Sequence, residues 1–474
     1  MPEQWAEQFS VPIYESQMSW THKQSSILGV VSITSFMGTF LISSINIALP
    51  AIEKSFGLNA VELSWVITSF LLATVLFMLP VGRWGDTSGN GKLFKIGLII
   101  FTASSLFCAL APTGKWLVAA RFIQGVGAAF SNTTGSAILV SNFPAKNRGQ
   151  VIGISVASVY IGLALGPFIG GIITQHLGWH TLFYLSFVLG LAITVIAFVF
   201  LKKESAQAPT RQDWRGILFF MLGLLALVYG SSVIPTFYGW ALMIGGIALI
   251  FVFWILEGRT EYPMLDTKLY TQNRLFAYSN LAALINYTST FAIVFFLSLY
   301  LQKIKGLEPQ KAGGIIIAQP IMMAVFSPLI GRLADKIQPR YFATAGMTIC
   351  SIGLAALAFL SEQTPIGYIV AILVWVGLGF ALFSSPNMTT IMSSVDKSRY
   401  GQASGSAASM RVFGQIISMT IVTLFFSFLF GGQSIEDVPH DDFLTVMKWG
   451  FITFAAIGIG GIYFSMARGN VERG

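Results

Sequence analysis

Leu117 to Phe130, LVAARFIQGVGAAF, sets an arginine and a glutamine inside an otherwise apolar run. At membrane depth every backbone group must be satisfied within its own segment, so the run is expected to be helical. Helical spacing puts Arg121, Gln124, Gly125, Ala128 and Asn132 on one face, a small and polar stripe on an apolar rod. That stripe should face protein or water, because a guanidinium near mid-bilayer costs at least ~2.5 kcal/mol on insertion scales. An arginine so placed marks a functional site by default; the competing reading is one that snorkels to an interface.

Composition points the same way for the whole chain. Of 474 residues, 54% are hydrophobic and 10% charged, and the mean hydropathy is +0.72. A soluble core cannot bury that much apolar surface. Cys108 and Cys350 fall in apolar stretches and read as small core residues, and the four histidines have no ligand spacing. No metal, cofactor or catalytic constellation is indicated, so no enzyme is expected. Met1 to Gln24 is polar and precedes an apolar stretch too long for a cleavable signal, so it reads as a cytoplasmic tail.

Apolar stretches long enough to cross ~30 Å of hydrocarbon begin at 27–52 and 62–81 and end at 404–430 and 445–467; they number fourteen. An even number returns both termini to one side. Twenty of the 28 Lys and Arg lie in loops on the tail side and six opposite, which makes both termini cytoplasmic and the protein multi-pass in the cytoplasmic (inner) membrane. The net charge of +8 follows from that topology and calls for no nucleic-acid partner.

The chain also repeats itself. Gly82-Arg83-x-x-Asp86 recurs as Gly331-Arg332-x-x-Asp335, and Gly149-Gln150-x-x-Gly153 with Gly162 recurs as Gly401-Gln402-x-x-Gly405 with Gly414. Offsets of 249 and 252 residues exceed six spans with their loops, so two extra spans must lie between the repeats. The expected domains are a cytoplasmic tail (1–24), a six-helix bundle (25–203), two inserted helices with linkers (204–274), a second six-helix bundle (275–467) and a tail (468–474). Repeated halves suggest a transporter that rocks about a central site.

Three motifs in order resemble those of the major facilitator superfamily. They are the loop Gly82 to Lys92, the run around Arg121 and Gln124, and Gly162-Leu-Ala-Leu-Gly166-Pro167-Phe-Ile-Gly170-Gly171, similar to that superfamily's antiporter signature. Asp213-Trp214-Arg215-Gly216, Leu301-Gln302-Lys303 and Ser385-Pro386-Asn387 narrow the resemblance to its fourteen-span drug:proton antiporter family, of the multidrug efflux type associated with drug resistance. The resemblance implies an all-α polytopic fold of six, two and six transmembrane helices. It implies a plasma-membrane antiporter with protons as coupling ion, the lipid bilayer and a small-molecule substrate as its partners, and a monomer. It also implies a cytoplasmic gate formed by Arg83, Asp86, Arg332 and Asp335, and a proton relay or cavity charge at Arg121, Gln124 and Arg411. Thr87 and Asn90 stand where basic residues are usual, so the second-half lock around Arg332, Asp335, Lys336 and Arg340 should be the stronger.

One departure bears on mechanism. That family carries an aspartate five positions before the asparagine of its first-span Asn-x-Ala-Leu-Pro; here Asn46 to Pro50 is present and the position is Leu41. None of the 20 acids falls at mid-membrane in the spans above. Candidate cavity residues are Ser35, Thr39, Ser43 and Asn46 on the first span, with Asn286, Tyr287, Gln319 and Asn387 from the second half. Each has a plain alternative as an interhelical hydrogen bond. Three readings stay open: an exporter of amphipathic compounds by alternating access, a dedicated exporter or facilitator of one neutral or anionic metabolite or lipid, and a non-transporting sensor or scaffold. Two intramembrane arginines without a deep carboxylate favour neutral or anionic cargo over dications.

Overall fold

The computed structural model describes residues 20–144, 147–201, 213–260, 263–265, 267–334, 336–396 and 399–471, apart from the Asp86 side chain. The first half consists of α1 (His22–Phe56), α2 (Ala60–Ser88), α3 (Asn90–Ala109), α4 (Gly114–Asn142), α5 (Arg148–Leu177) and α6 (His180–Phe200). Then come α7 (Trp214–Ser232), α8 (Phe237–Glu257) and a short α9 (Thr267–Gln272). The second half holds α10 (Arg274–Thr290), α11 (Ala292–Leu299) with a π-helical turn at Tyr300–Ile304, α12 (Pro309–Ile316), α13 (Ala318–Ala334), α14 (Pro339–Leu357), α15 (Ile366–Ser393), α16 (Tyr400–Phe430) and α17 (His440–Ala467). Among the described residues thirteen helical spans are long and apolar enough to cross a membrane, with α10, α11 and the π turn forming one and α12 and α13 another. The 29-residue α4 is outside that set, as its stripe of Arg121, Gln124 and Asn132 makes it more polar than its length alone would suggest.

Helix starts follow local chemistry. Thr21 and Gln24 close a capping box on α1, and Asn59 and Glu62 do the same on α2. Glu62 is thus occupied as a cap, its carboxylate accepting from the Asn59 N–H at 3.2 Å. Two of the expected spans run through with a local irregularity. The ninth, 276–302, stays right-handed helical at Phe291 and ends in the π turn, where Gln302 donates to the Ile47 carbonyl at 3.0 Å and to the Ser298 hydroxyl at 3.0 Å. A side chain reaching into the neighbouring half at that turn matches the association of π turns with functional sites. The tenth, 311–330, tightens at Ile317, just before Pro320 removes a donor.

The repeat becomes a packing rule. In the first half α1 packs on α5, α3 on α4 and α6, and α2 on α4; in the second, α10 packs on α16, α14 on α15 and α17, and α13 on α15. The halves meet through α5 against α12 and α2 against α16, each the counterpart of the other under that exchange, with α1 against α11 between them. Helices α7 and α8 pack on each other, and α7 rests on α2 and α16. Only 17% of the α8 span is buried, so most of its surface is left for lipid.

Candidate functional site

Between the halves lies a cavity walled by α1, α2, α4 and α5 on one side and α10, α15 and α16 on the other. Its volume is about 120 Å³. It continues past Met78, Asn132, Ser136 and Ala408, which line both spaces, into a vestibule of about 910 Å³ edged by Arg83, Arg148, Thr260, Pro263 and Leu265. Drug-sized ligands need roughly 300–1,000 Å³, so the vestibule has room for one and the central chamber, as drawn here, does not. What narrows the chamber is a contact across it: the Tyr160 hydroxyl on α5 lies 2.5 Å from Ser384 on α15 and 3.3 Å from the Tyr287 hydroxyl on α10.

The chamber wall has one charged side chain among the described residues, Arg411. Beside it stand Asn132, Asn387, Gln415, the aromatic rings of Phe70, Tyr160, Tyr287 and Phe383, and small hydroxyls. The arrangement is apolar with a few convergent polar groups, the usual make-up of a small-molecule site.

Arg121 stays behind that wall. Fully buried, it donates through Nε to the Val66 carbonyl at 3.1 Å and through Nη1 to Gln124 Oε1 at 2.5 Å, while Gln124 donates to Ser105 at 2.7 Å. Its guanidinium lies 4.3 Å from the ring centroid of Phe70, whose side chain lines the chamber. Arg121 and Gln124 therefore bind α4 to α2 and α3, whereas Arg411 is set in the chamber wall.

Of the eight polar residues proposed for the chamber, Ser35, Thr39, Tyr287 and Asn387 line it. The other four lie elsewhere. Ser43 donates to the Leu163 carbonyl at the α1–α5 contact, and Asn46 donates to its own helix at Ile42. Asn286 and Gln319 are buried within the second half. Helical spacing alone could not separate these, because both the inner face and the helix-contact face of a span carry small polar residues. Asn132, on the polar stripe of α4, lines the chamber too, while Tyr160 and Ser384 gave no sequence signal.

The glycines of the fifth helix serve two contacts. Gly162, Gly166 and Gly170 face α1, and an added Cβ would come within 2.4–2.6 Å of Thr39, Ser43 and Ser44. Gly171 faces α12 instead, where a Cβ would meet the Pro309 carbonyl at 2.5 Å. Such close approach requires glycine. Of the four gating candidates, Arg83 donates to the Pro263 carbonyl of the linker and Arg332 is exposed. Asp335 and the Asp86 side chain lie outside the described residues.

At the end remote from the vestibule the halves are hydrogen-bonded together. Ser298 donates to the Asn46 carbonyl at 2.6 Å, Ser64 and Thr423 lie 2.9 Å apart, and the Ala60 N–H reaches the Gln433 carbonyl at 2.9 Å. Glu53, read from sequence as a loop acid, is 5% exposed and accepts from the Ser434 hydroxyl at 2.7 Å and the Glu436 N–H at 2.9 Å. Glu257, the last residue of α8, is likewise buried, and its carboxylate accepts from the Leu265 N–H. Neither lies at mid-helix, and neither lines the chamber.

Arg468 carried no sequence signal. Read as the first residue of a tail, it is 2% exposed, and its Nη1 donates to Asn387 Oδ1 at 2.6 Å. Burial, and then the nearby Arg340, pull its pKa down to about 10, so it remains cationic at neutral pH.

Comparison with known proteins agrees with this geometry. The chain is 32% identical over 410 residues to the riboflavin transporter RibZ of Clostridioides difficile, covering 85% of this chain and 88% of that one. It is 30% identical over 386 residues to the multidrug resistance protein Stp of Mycobacterium tuberculosis, covering 80% and 71%, and 26% identical over 408 residues to the methylenomycin A resistance protein of Bacillus subtilis, covering 84% and 86%. Its fold matches the crystal structure of a bacterial homologue of the human lysosomal transporter Spinster, in an inward-facing and unoccupied conformation. The TM-score is 0.66 at 14% identity, over 95% of this chain and 97% of that one. The family model of the Major Facilitator Superfamily covers residues 31–419. With two halves of matching internal packing around a polar-walled chamber, this chain belongs to the Major Facilitator Superfamily and is a multi-pass membrane transporter of small molecules.

Proposed function

We propose that the protein is a secondary transporter of neutral or anionic planar amphiphiles, with a flavin-like heteroaromatic as its type substrate. The observation that carries this reading is the chamber wall: aromatic rings, amides and hydroxyls, with Arg411 as its one described charge and no described carboxylate. A flat neutral ring system with carbonyl edges suits such a wall, and the 32%-identical riboflavin transporter lends it support. Multidrug resistance relatives at 26–30% identity support the broader class of amphipathic efflux substrates. The reading includes fourteen crossings, α4 among them, arranged six, two and six with both termini cytoplasmic. The halves rock so that the chamber meets the vestibule on the cytoplasmic side and the outside in alternation.

Proton coupling belongs to this proposal as well, and Glu53 is its candidate. It is the buried acid that joins the two halves at the end remote from the vestibule, by accepting from Ser434 and Glu436. Lys303, which donates to the Ile435 and Glu436 carbonyls, together with Glu436 and Asp437, are the charged groups around it. Protonation removes the charge those donors satisfy, so a low external pH would favour separation at that end. The test is riboflavin flux into and out of proteoliposomes containing the purified protein, with and without an imposed pH gradient. Flux stimulated by the gradient and inhibited by neutral flavin analogues is expected. Protein-dependent flux of quaternary ammonium ions with none of riboflavin would overturn the reading.

A further inference from the structure

Asn387 lines the chamber from α15, yet its amide is held from behind. Arg468, just past the end of α17, donates to Asn387 Oδ1 at 2.6 Å and lies 3.5 Å from the Ser279 hydroxyl. Asn387 Nδ2 donates to the Ser279 backbone carbonyl at 3.1 Å. A guanidinium can only donate and a carbonyl can only accept, so both contacts force the same choice of the two amide orientations. Arg468 takes one of the oxygen's two lone pairs and, as a cation, weakens the other as an acceptor, while Ser279 takes one N–H. The other N–H is the stronger group left to a ligand, because a cation bound to the oxygen polarises the amide toward donation.

We infer that Asn387 is oriented as a hydrogen-bond donor in the chamber, favouring substrates that carry a carbonyl or anionic oxygen, and that Arg468 is the positioning residue that fixes it so. The chamber thereby acquires a polarity that its amide composition alone does not give it. An asparagine free to flip would serve donors and acceptors equally; this one favours acceptors. The same cation behind the wall adds to Arg411 in disfavouring positively charged cargo. This inference rests on the small-molecule reading above but names the group on the substrate that is recognised.

The test compares binding of two neutral probes of one shape, acridone and 9,10-dihydroacridine, in which a ring carbonyl becomes a methylene. Tryptophan quenching of the purified full-length protein in detergent supplies the readout. Wild type should prefer acridone by roughly tenfold, the worth of one well-placed hydrogen bond. Asn387→Asp turns the donor into an acceptor while keeping a partner for Arg468, so the preference should vanish. Arg468→Met should reduce the preference, and Arg468→Lys should restore part of it. A role confined to stability would change the affinity for both probes together and leave their ratio alone. Equal binding of the two probes by wild type, or a ratio unchanged in Asn387→Asp, overturns the inference. Riboflavin flux after reconstitution of the same protein into liposomes keeps the two proposals apart: absent flux with the acridone preference intact counts against the flavin reading only, and present flux with no preference counts against this one.

Discussion

Arg121 and Glu53 show how a charged residue is accommodated in an apolar environment by different means. Arg121 is surrounded by the first half itself, and removing it leaves Gln124 Oε1 buried without its donor. Arg121→Met should therefore destabilise the protein by about 1–3 kcal/mol, the cost of a buried polar atom left unsatisfied. Thermal unfolding in detergent would register it, with riboflavin affinity little changed because Arg121 is not in the chamber wall. A large loss of affinity at unchanged melting temperature would instead make it a ligand contact. Glu53 works between the halves, where its hydrogen bonds to Ser434 and Glu436 must part if that end opens. Glu53→Gln keeps a neutral acceptor and loses the titration, so stimulation of flux by a pH gradient should disappear while exchange without a gradient survives. Retained stimulation would remove Glu53 as the coupling group.

At the scale of helices, the decisive contact is α5 against α12. A Cβ on Gly313 would come within 2.1 Å of the Pro167 carbonyl, a backbone atom that no rotamer change can move away. Gly313→Ala should hold the halves apart at that end. Transport should be lost, ligand binding kept, and a cysteine at Ser64, buried against Thr423 in the sealed state, should become reactive to an impermeant maleimide. Native Cys108 and Cys350 are buried and would contribute little background. An unreactive Ser64→Cys in the Gly313→Ala protein would mean that α5 and α12 tolerate the extra methyl by local adjustment. The pair α7 and α8 takes no part in the chamber wall, and its exposed face suits lipid.

For the whole molecule, the balance of charge around the chamber sets which ions can cross. An unpaired cation in a low-dielectric site is heavily penalised unless an opposite charge lies near it. Arg411 in the wall and Arg468 behind it are both positive. A bis-quaternary dye should therefore be exported poorly by cells expressing the protein, and a neutral dye of similar size well. A monocation can be held by aromatic faces, at ~0.5–2 kcal/mol. Robust dication efflux abolished by Glu62→Gln would place a carboxylate in the pathway that the capping box now occupies, and would refute the argument.

The class of protein was legible in the chain because it depends on sums and periods. Composition gave a membrane environment, the repeat of Gly82-Arg83 at Gly331-Arg332 gave two halves, and the glycine row of the fifth helix gave close packing. Those signals survive without knowledge of neighbours, since any helix in hydrocarbon must satisfy its own backbone and any glycine row permits close approach. What faces what was decided only by the tertiary fold. Ser35 and Ser43 lie on the same stripe, yet one lines the chamber and the other bonds α5, because a helix wrapped by several neighbours presents each turn to a different one. Arg468 gave no signal at all in a stretch that reads as tail, and Asn387 gave no direction. The fold brings them to 2.6 Å across 81 residues of chain and so fixes which way the amide points.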